Sequence, residues 1–142
     1  MQKNTKEYII QDEKELDEIE FNLLPWDRIF FYGDLGAGKS TTIRSILRKY
    51  LDNQRLIVRS PTYIYYQKYV DTANQSIFHC DLYRLEDYST WVSIGGEEIL
   101  QDDQSIFLIE WPEILADTVI PTKKVSIELM ETWERKISVS VL

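Results

Sequence analysis

Cysteine, histidine and excess positive charge are all scarce in this chain, and each scarcity narrows what it can be. Of 142 residues, only Cys80 is a cysteine and only His79 a histidine. A single thiol excludes an internal disulfide and suits a reducing compartment, so a cytoplasmic location is expected. Lysine and arginine number 16 against 24 acidic residues, a net charge of −8. That balance disfavours unassisted contact with a nucleic-acid backbone, which wants a basic surface. The basic residues that do cluster, Arg44, Arg48, Lys49, Arg55 and Arg59, read as a solvated helix face and loop. No apolar run approaches the ~18 residues a membrane span needs. The start, Met1-Gln2-Lys3-Asn4, leads into polar sequence without a signal-peptide apolar stretch, so no membrane association is expected. Repeats and low-complexity segments are lacking too. What is present is 44% hydrophobic and 13% aromatic residues, enough for a core. One globular domain over residues 1–142 is the expectation.

Residues 33–41 read Gly-Asp-Leu-Gly-Ala-Gly-Lys-Ser-Thr, a match to G-x-x-x-x-G-K-S/T, the phosphate-binding loop of P-loop NTPases. Glycines let such a loop wrap around phosphate oxygens and aim successive backbone N–H groups at them. Lys39 can reach the β- and γ-phosphates, and the Ser40 hydroxyl can ligate Mg²⁺. Candidate nucleotide contacts are therefore Gly33, Asp34, Leu35, Gly36, Ala37, Gly38, Lys39, Ser40 and Thr41. By chance such a match arises roughly once in 200 chains of this length, and the flanks argue further against chance. Arg28-Ile29-Phe30-Phe31-Tyr32 precedes it as an apolar strand. Ile43, Ile46, Leu47, Tyr50 and Leu51 follow at the spacing of one helix face. Strand, glycine loop and helix N-terminus together hold phosphate against the helix dipole.

Leu16, Ile19 and Leu23 predict a short helix over Lys14 to Leu24, ended by Pro25. After strand 28–32 and helix 39–51, Leu56-Ile57-Val58 reads as a second strand. Tyr63 to Val70 is tyrosine- and β-branched-rich, which favours extended chain. Asp71 to Gln75 reads as a turn and Ser76 to Leu82 as the returning strand. Glu86 to Leu100 is expected to be helical in pieces, interrupted at Gly95-Gly96. Ile106-Phe107-Leu108-Ile109 suits a strand buried on both faces. Lys124 to Met130 and Lys136 to Leu142 alternate and should form a terminal hairpin. The fold class is α/β: a small P-loop NTPase-like three-layer sandwich, with a mixed sheet and inserted and terminal antiparallel hairpins.

A nucleotide site also needs a carboxylate at the end of a buried strand to direct Mg²⁺. Glu110 ends one apolar run and Asp81 another; either could instead cap a neighbouring loop. Strand alternation puts His79 and Asp81 on one face, with Phe78, Cys80 and Leu82 on the other. His79 could be a base, could orient Asp81, or could be a hydrogen-bonded core residue. Cys80 reads as a small buried hydrophobe. Thr62, in Ser60-Pro61-Thr62, sits where a switch segment could present its hydroxyl to a γ-phosphate or water; an ordinary turn is the alternative. Arg84 could serve phosphate or a partner, or pack over tyrosine rings. Trp111 could flank the nucleotide or fill the core.

Four segments, residues 33–41, Ser-Pro-Thr-Tyr at 60–63, His-Cys-Asp-Leu-Tyr-Arg-Leu at 79–85 and Glu-Trp-Pro at 110–112, occur in the order and spacing of one family. From about residue 7 onward the chain resembles TsaE, also called YjeE, the small bacterial ATPases of tRNA threonylcarbamoyladenosine biosynthesis. The resemblance implies a loop that binds ATP or ADP and a Ser40 hydroxyl that holds Mg²⁺. It implies that Glu110 supplies the second Mg²⁺ ligand and Trp111 a nucleotide-side aromatic. It makes Asp81 important for hydrolysis together with Lys39, and Thr62 a switch residue. It also implies TsaD and TsaB as protein partners, with tRNA reached only indirectly through them. The implied role is a Mg²⁺-dependent ATPase, weak alone and stimulated by partners, supporting modification of adenosine 37 in tRNAs that read codons beginning with A. Two other readings stay open: a small-molecule kinase, and a nucleotide-dependent interaction module with negligible hydrolysis of its own.

Overall fold

Runs of β-branched and aromatic residues build one seven-stranded sheet, with strand order β1-β7-β6-β2-β5-β4-β3. The computed structural model describes residues 4–58 and 64–142. Its strands are β1 (Asn4–Ile10), β2 (Arg28–Tyr32), β3 (Tyr66–Val70), β4 (Ser76–Asp81), β5 (Ile106–Glu110), β6 (Lys123–Leu129) and β7 (Arg135–Val141). The helices are α1 (Lys39–Tyr50), α2 (Tyr88–Ser93) and α3 (Gly96–Leu100), with 3-10 turns at Glu13–Glu18 and Pro112–Leu115. β4, β5, β2 and β6 run parallel to one another. The expected hairpins close the two flanks: β3 is antiparallel to β4, and β7 to β6.

Side-chain alternation makes the layers. Ile29, Phe31, Ile77, Ile106 and Leu108 face α1 and meet its buried Ile43, Ile46 and Leu47. Phe30, Phe78, Cys80, Phe107 and Ile109 face the opposite way and meet Leu82, Leu85, Trp91 and Leu115. Every residue of β5 is buried, which explains its unbroken apolar run. Cys80 is the buried hydrophobe expected, and burial pushes its thiol far up from its ordinary range.

Two expectations are corrected, and one strand is added. The helix over 14–24 is a single 3-10 stretch, Glu13–Glu18, capped by Asp12 accepting from the Lys14 amide at 2.8 Å. Beyond it, Ile19 and Phe21 are buried while Glu20 is exposed, an extended rhythm, and Asn22 has φ 50°. No basic residue stands in the last turn of the 3-10 stretch to favour a longer helix. Leu56-Ile57-Val58 is irregular instead of a strand; the Leu56 carbonyl accepts from Arg48 Nε at 2.9 Å and so serves α1 instead of a sheet. At the N-terminus, β1 adds an edge strand along β7, from Asn4↔Val141 to Ile10↔Arg135. Its residues are mostly exposed, so no alternation announced it.

At one edge of the sheet the buried Asp27 accepts from the Leu24 amide, Thr122 Oγ1 and Lys123 Nζ, while Arg28 donates to the Ser105 and Asp102 carbonyls. These bonds lock the strand starts. The strand ends gather at the opposite edge, where open α/β sheets bind ligands. Phe31 pairs with Glu110, and Asp81 also pairs with Glu110, so β2, β4 and β5 finish level with one another.

Candidate functional site

β2 delivers the chain to Gly33, and the glycine loop turns directly into α1. Gly38 is the N-cap residue with φ 111°, a left-handed backbone that favours glycine. A Cβ there would also come within 3.2 Å of Arg135 Nε. At Gly33 a Cβ would lie 2.7 Å from the Ile127 carbonyl oxygen, so β6 packs directly on the loop. No side chain caps α1, which leaves its first N–H groups for an external acceptor.

The glycine loop and the strand ends line a cleft of about 500 Å³. Leu35, Gly36, Gly38, Lys39, Ser40 and Thr41 form its floor. Asp81, Tyr83, Arg84, Glu110, Trp111 and Arg135 form its walls. Gly33, Asp34 and Ala37 lie behind this floor, toward β6. Lys39 is buried; its ammonium donates to the Gly33 carbonyl and, at 3.1 Å, to the Asp34 carbonyl. Burial lowers its pKa from the usual lysine range, while the nearby carboxylates of Glu110, Asp81 and Asp34 pull the other way. The ammonium sits 4.2 Å from the Trp111 ring centre.

Ser40 Oγ donates to Glu110, 3.0 Å from Oε1 and 3.2 Å from Oε2. Hydroxyl and carboxylate are hard oxygen donors of the kind Mg²⁺ prefers, and their direct contact brings them to one point. Among the described residues no group of three or more His, Cys, Asp and Glu side chains could hold a metal alone. Asp81 lies one strand away, in register with Glu110, and its Oδ1 accepts from the Tyr83 amide at 3.0 Å.

Trp111 leaves β5 with φ 54°, a conformation costing of order 1–3 kcal/mol for a non-glycine residue. Pro112 immediately begins the next turn, and the indole is turned into the cleft against Tyr83, ring centres 4.9 Å apart. It belongs to neither core. His79 is fully buried and bonds Glu110 Oε2 at 2.6 Å, so its contact is Glu110 where Asp81 had been one expectation. Ser60-Pro61-Thr62 lies outside the described residues. Arg44 and Lys49 of the basic cluster tie α1 down: Arg44 bonds Glu13 at 3.1 Å and Lys49 the Asp17 carbonyl at 2.8 Å.

Arg135 was not signalled by the sequence. Its Nε donates to the Ala37 carbonyl at 2.7 Å, and its guanidinium lines the cleft beside Gly38. The only hint is a lone arginine opening an alternating strand; the β6–β7 register delivers it.

The family model for TsaE, threonylcarbamoyl adenosine biosynthesis protein TsaE, matches residues 4–137. A Rickettsia felis protein described as tRNA threonylcarbamoyladenosine biosynthesis protein TsaE is 35% identical over 119 residues, 83% of this chain and 67% of that one. The Borreliella burgdorferi protein of the same description is 37% identical over 102 residues, 71% of each chain. The crystal structure of Bacillus subtilis YdiB superposes with a TM-score of 0.74 at 20% identity, covering 99% of this chain and 88% of that one. At that identity the likeness speaks for the fold.

Proposed function

The chain belongs to the TsaE family of threonylcarbamoyl adenosine biosynthesis proteins, and from that premise we propose that it is a Mg²⁺-dependent ATPase acting beside TsaD and TsaB. The observation that carries this reading is the convergence of Ser40, Glu110 and Asp81 at the mouth of the glycine loop. Backbone amides from Gly36 to Ser40 bind the β- and γ-phosphates, and Lys39 swings from the Gly33 and Asp34 carbonyls to join them. Ser40 and Glu110 hold Mg²⁺, which offsets charge on the phosphate oxygens. Asp81 orients or deprotonates the attacking water, with Thr62 as the switch residue. Trp111 flanks the nucleotide. The product of the wider pathway is threonylcarbamoyladenosine at position 37 of tRNAs reading A-starting codons, and the net charge of −8 suits a subunit that meets the tRNA through its partners.

Phosphate release measured without any added acceptor, alone and with TsaD and TsaB, tests the reading. Slow release alone, stimulation by the partners and its loss in Lys39→Ala are expected. Release that requires a small-molecule acceptor would identify a kinase. Nucleotide binding without release in either condition would identify an interaction module.

A further inference from the structure

We propose that His79 is a positioning residue that fixes the Glu110 carboxylate for the ion at Ser40. The proposal rests on the nucleotide reading above. Both side chains are buried, and His79 Nε2 stands 2.6 Å from Glu110 Oε2. A bare nitrogen lone pair facing an ionised carboxylate oxygen at that distance would be repelled, so against ionised Glu110 it is Nε2–H that donates. Hydrogen bonds to an ionised acceptor are the short, strong kind. His79 Nδ1 is buried with no hydrogen-bond partner among the described residues. The single polar contact recorded for the ring is therefore Glu110, and a hydrophobe would fill the same space without an orphan nitrogen. On its own face Leu108 pairs with it on β5 and Gln67 on β3, with Ile77 two residues before it and Asp81 two after.

The bond divides the carboxylate. Oε2 is held by the imidazole, while Oε1 is the oxygen nearer Ser40 Oγ. An unanchored glutamate has several rotamers, and anchoring it removes that freedom before a ligand arrives. Outer partners of this kind typically change metal affinity by about 10- to 100-fold when removed.

The chain's single histidine makes one arm of the test direct. In protein with isotope-labelled histidine and no nucleotide, nitrogen chemical shifts should report a proton on Nε2. A ring protonated on Nδ1 alone overturns the proposal. The second arm measures Mn²⁺ binding to the ADP complex by electron paramagnetic resonance, without turnover. His79→Leu and His79→Asn, whose side chains cannot reach Glu110 with a donor, should bind Mn²⁺ roughly 10- to 100-fold more weakly, with ADP affinity in EDTA unchanged. His79→Gln, long enough to bring an amide N–H toward the carboxylate, should recover most of the loss. If the leucine variant does not fold, the asparagine and glutamine pair carries the comparison. Wild-type Mn²⁺ affinity in His79→Asn, or equal losses in Asn and Gln, overturns the proposal. Wild-type protein whose ADP affinity gains nothing from the ion would instead sink the nucleotide reading, and the proposal with it.

Discussion

Asp81 ends β4 with its amide donating to the Tyr65 carbonyl at 2.9 Å and its Oδ1 accepting from the Tyr83 amide at 3.0 Å. A carboxylate held this way is preorganised at the edge of the cleft. Asp81→Asn keeps the size and an oxygen to accept from the Tyr83 amide but removes the carboxylate on which the proposed base role depends. It should lower turnover roughly 100-fold or more, the scale of a lost general base, while ADP affinity stays near wild type. Steady-state phosphate release compared with equilibrium ADP binding checks this, and equal losses in both would speak for a structural role. At this scale much was legible. The loop residues announce themselves because phosphate binding demands glycine, lysine and hydroxyl at fixed offsets, and Glu110 because it ends a continuous apolar run. Arg135 and the His79–Glu110 bond did not, since each joins residues whose nearness depends on register, 98 positions apart in the case of Arg135 and Ala37.

Among the elements, α2 and α3 give the sharpest packing constraint. Trp91 is fully buried, and a Cβ on Gly96 would fall 2.0 Å from its ring. Gly96→Ala should therefore destabilise the fold by about 2–3 kcal/mol, the overpacking range, read as a lower thermal midpoint with nucleotide binding retained in the folded fraction. An unchanged midpoint would mean the indole relocates freely. The helix break at Gly95-Gly96 was readable from composition, whereas its cause, the indole beneath, was not. The misread stretch over 14–24 follows the same logic. Leu16, Ile19 and Leu23 satisfy a helical spacing, but Ile19 and Phe21 are buried on an extended chain against α1 and the sheet. Short apolar sets fit either period, and tertiary contact chooses.

On the scale of the whole molecule, the sheet is unevenly protected. β2, β4 and β5 lie inside with both faces covered, while β1 is an edge strand exposed along most of its length. Amide hydrogen exchange should be slowest in β2, β4 and β5 and fastest, among the strands, in β1; comparable protection in β1 and β5 would contradict this ordering. No helix among the described residues is long and apolar enough to cross a membrane. Glycine spacing, apolar runs and turn residues are local properties, and they sufficed for the glycine loop, the parallel core strands and both hairpins. Partner choice is not local. Which atoms of Glu110 meet Ser40 and His79, where Arg135 enters, and that a polar N-terminal segment completes the sheet all follow from strand register and layer packing. Those arise only when segments far apart in the chain bury their surfaces together.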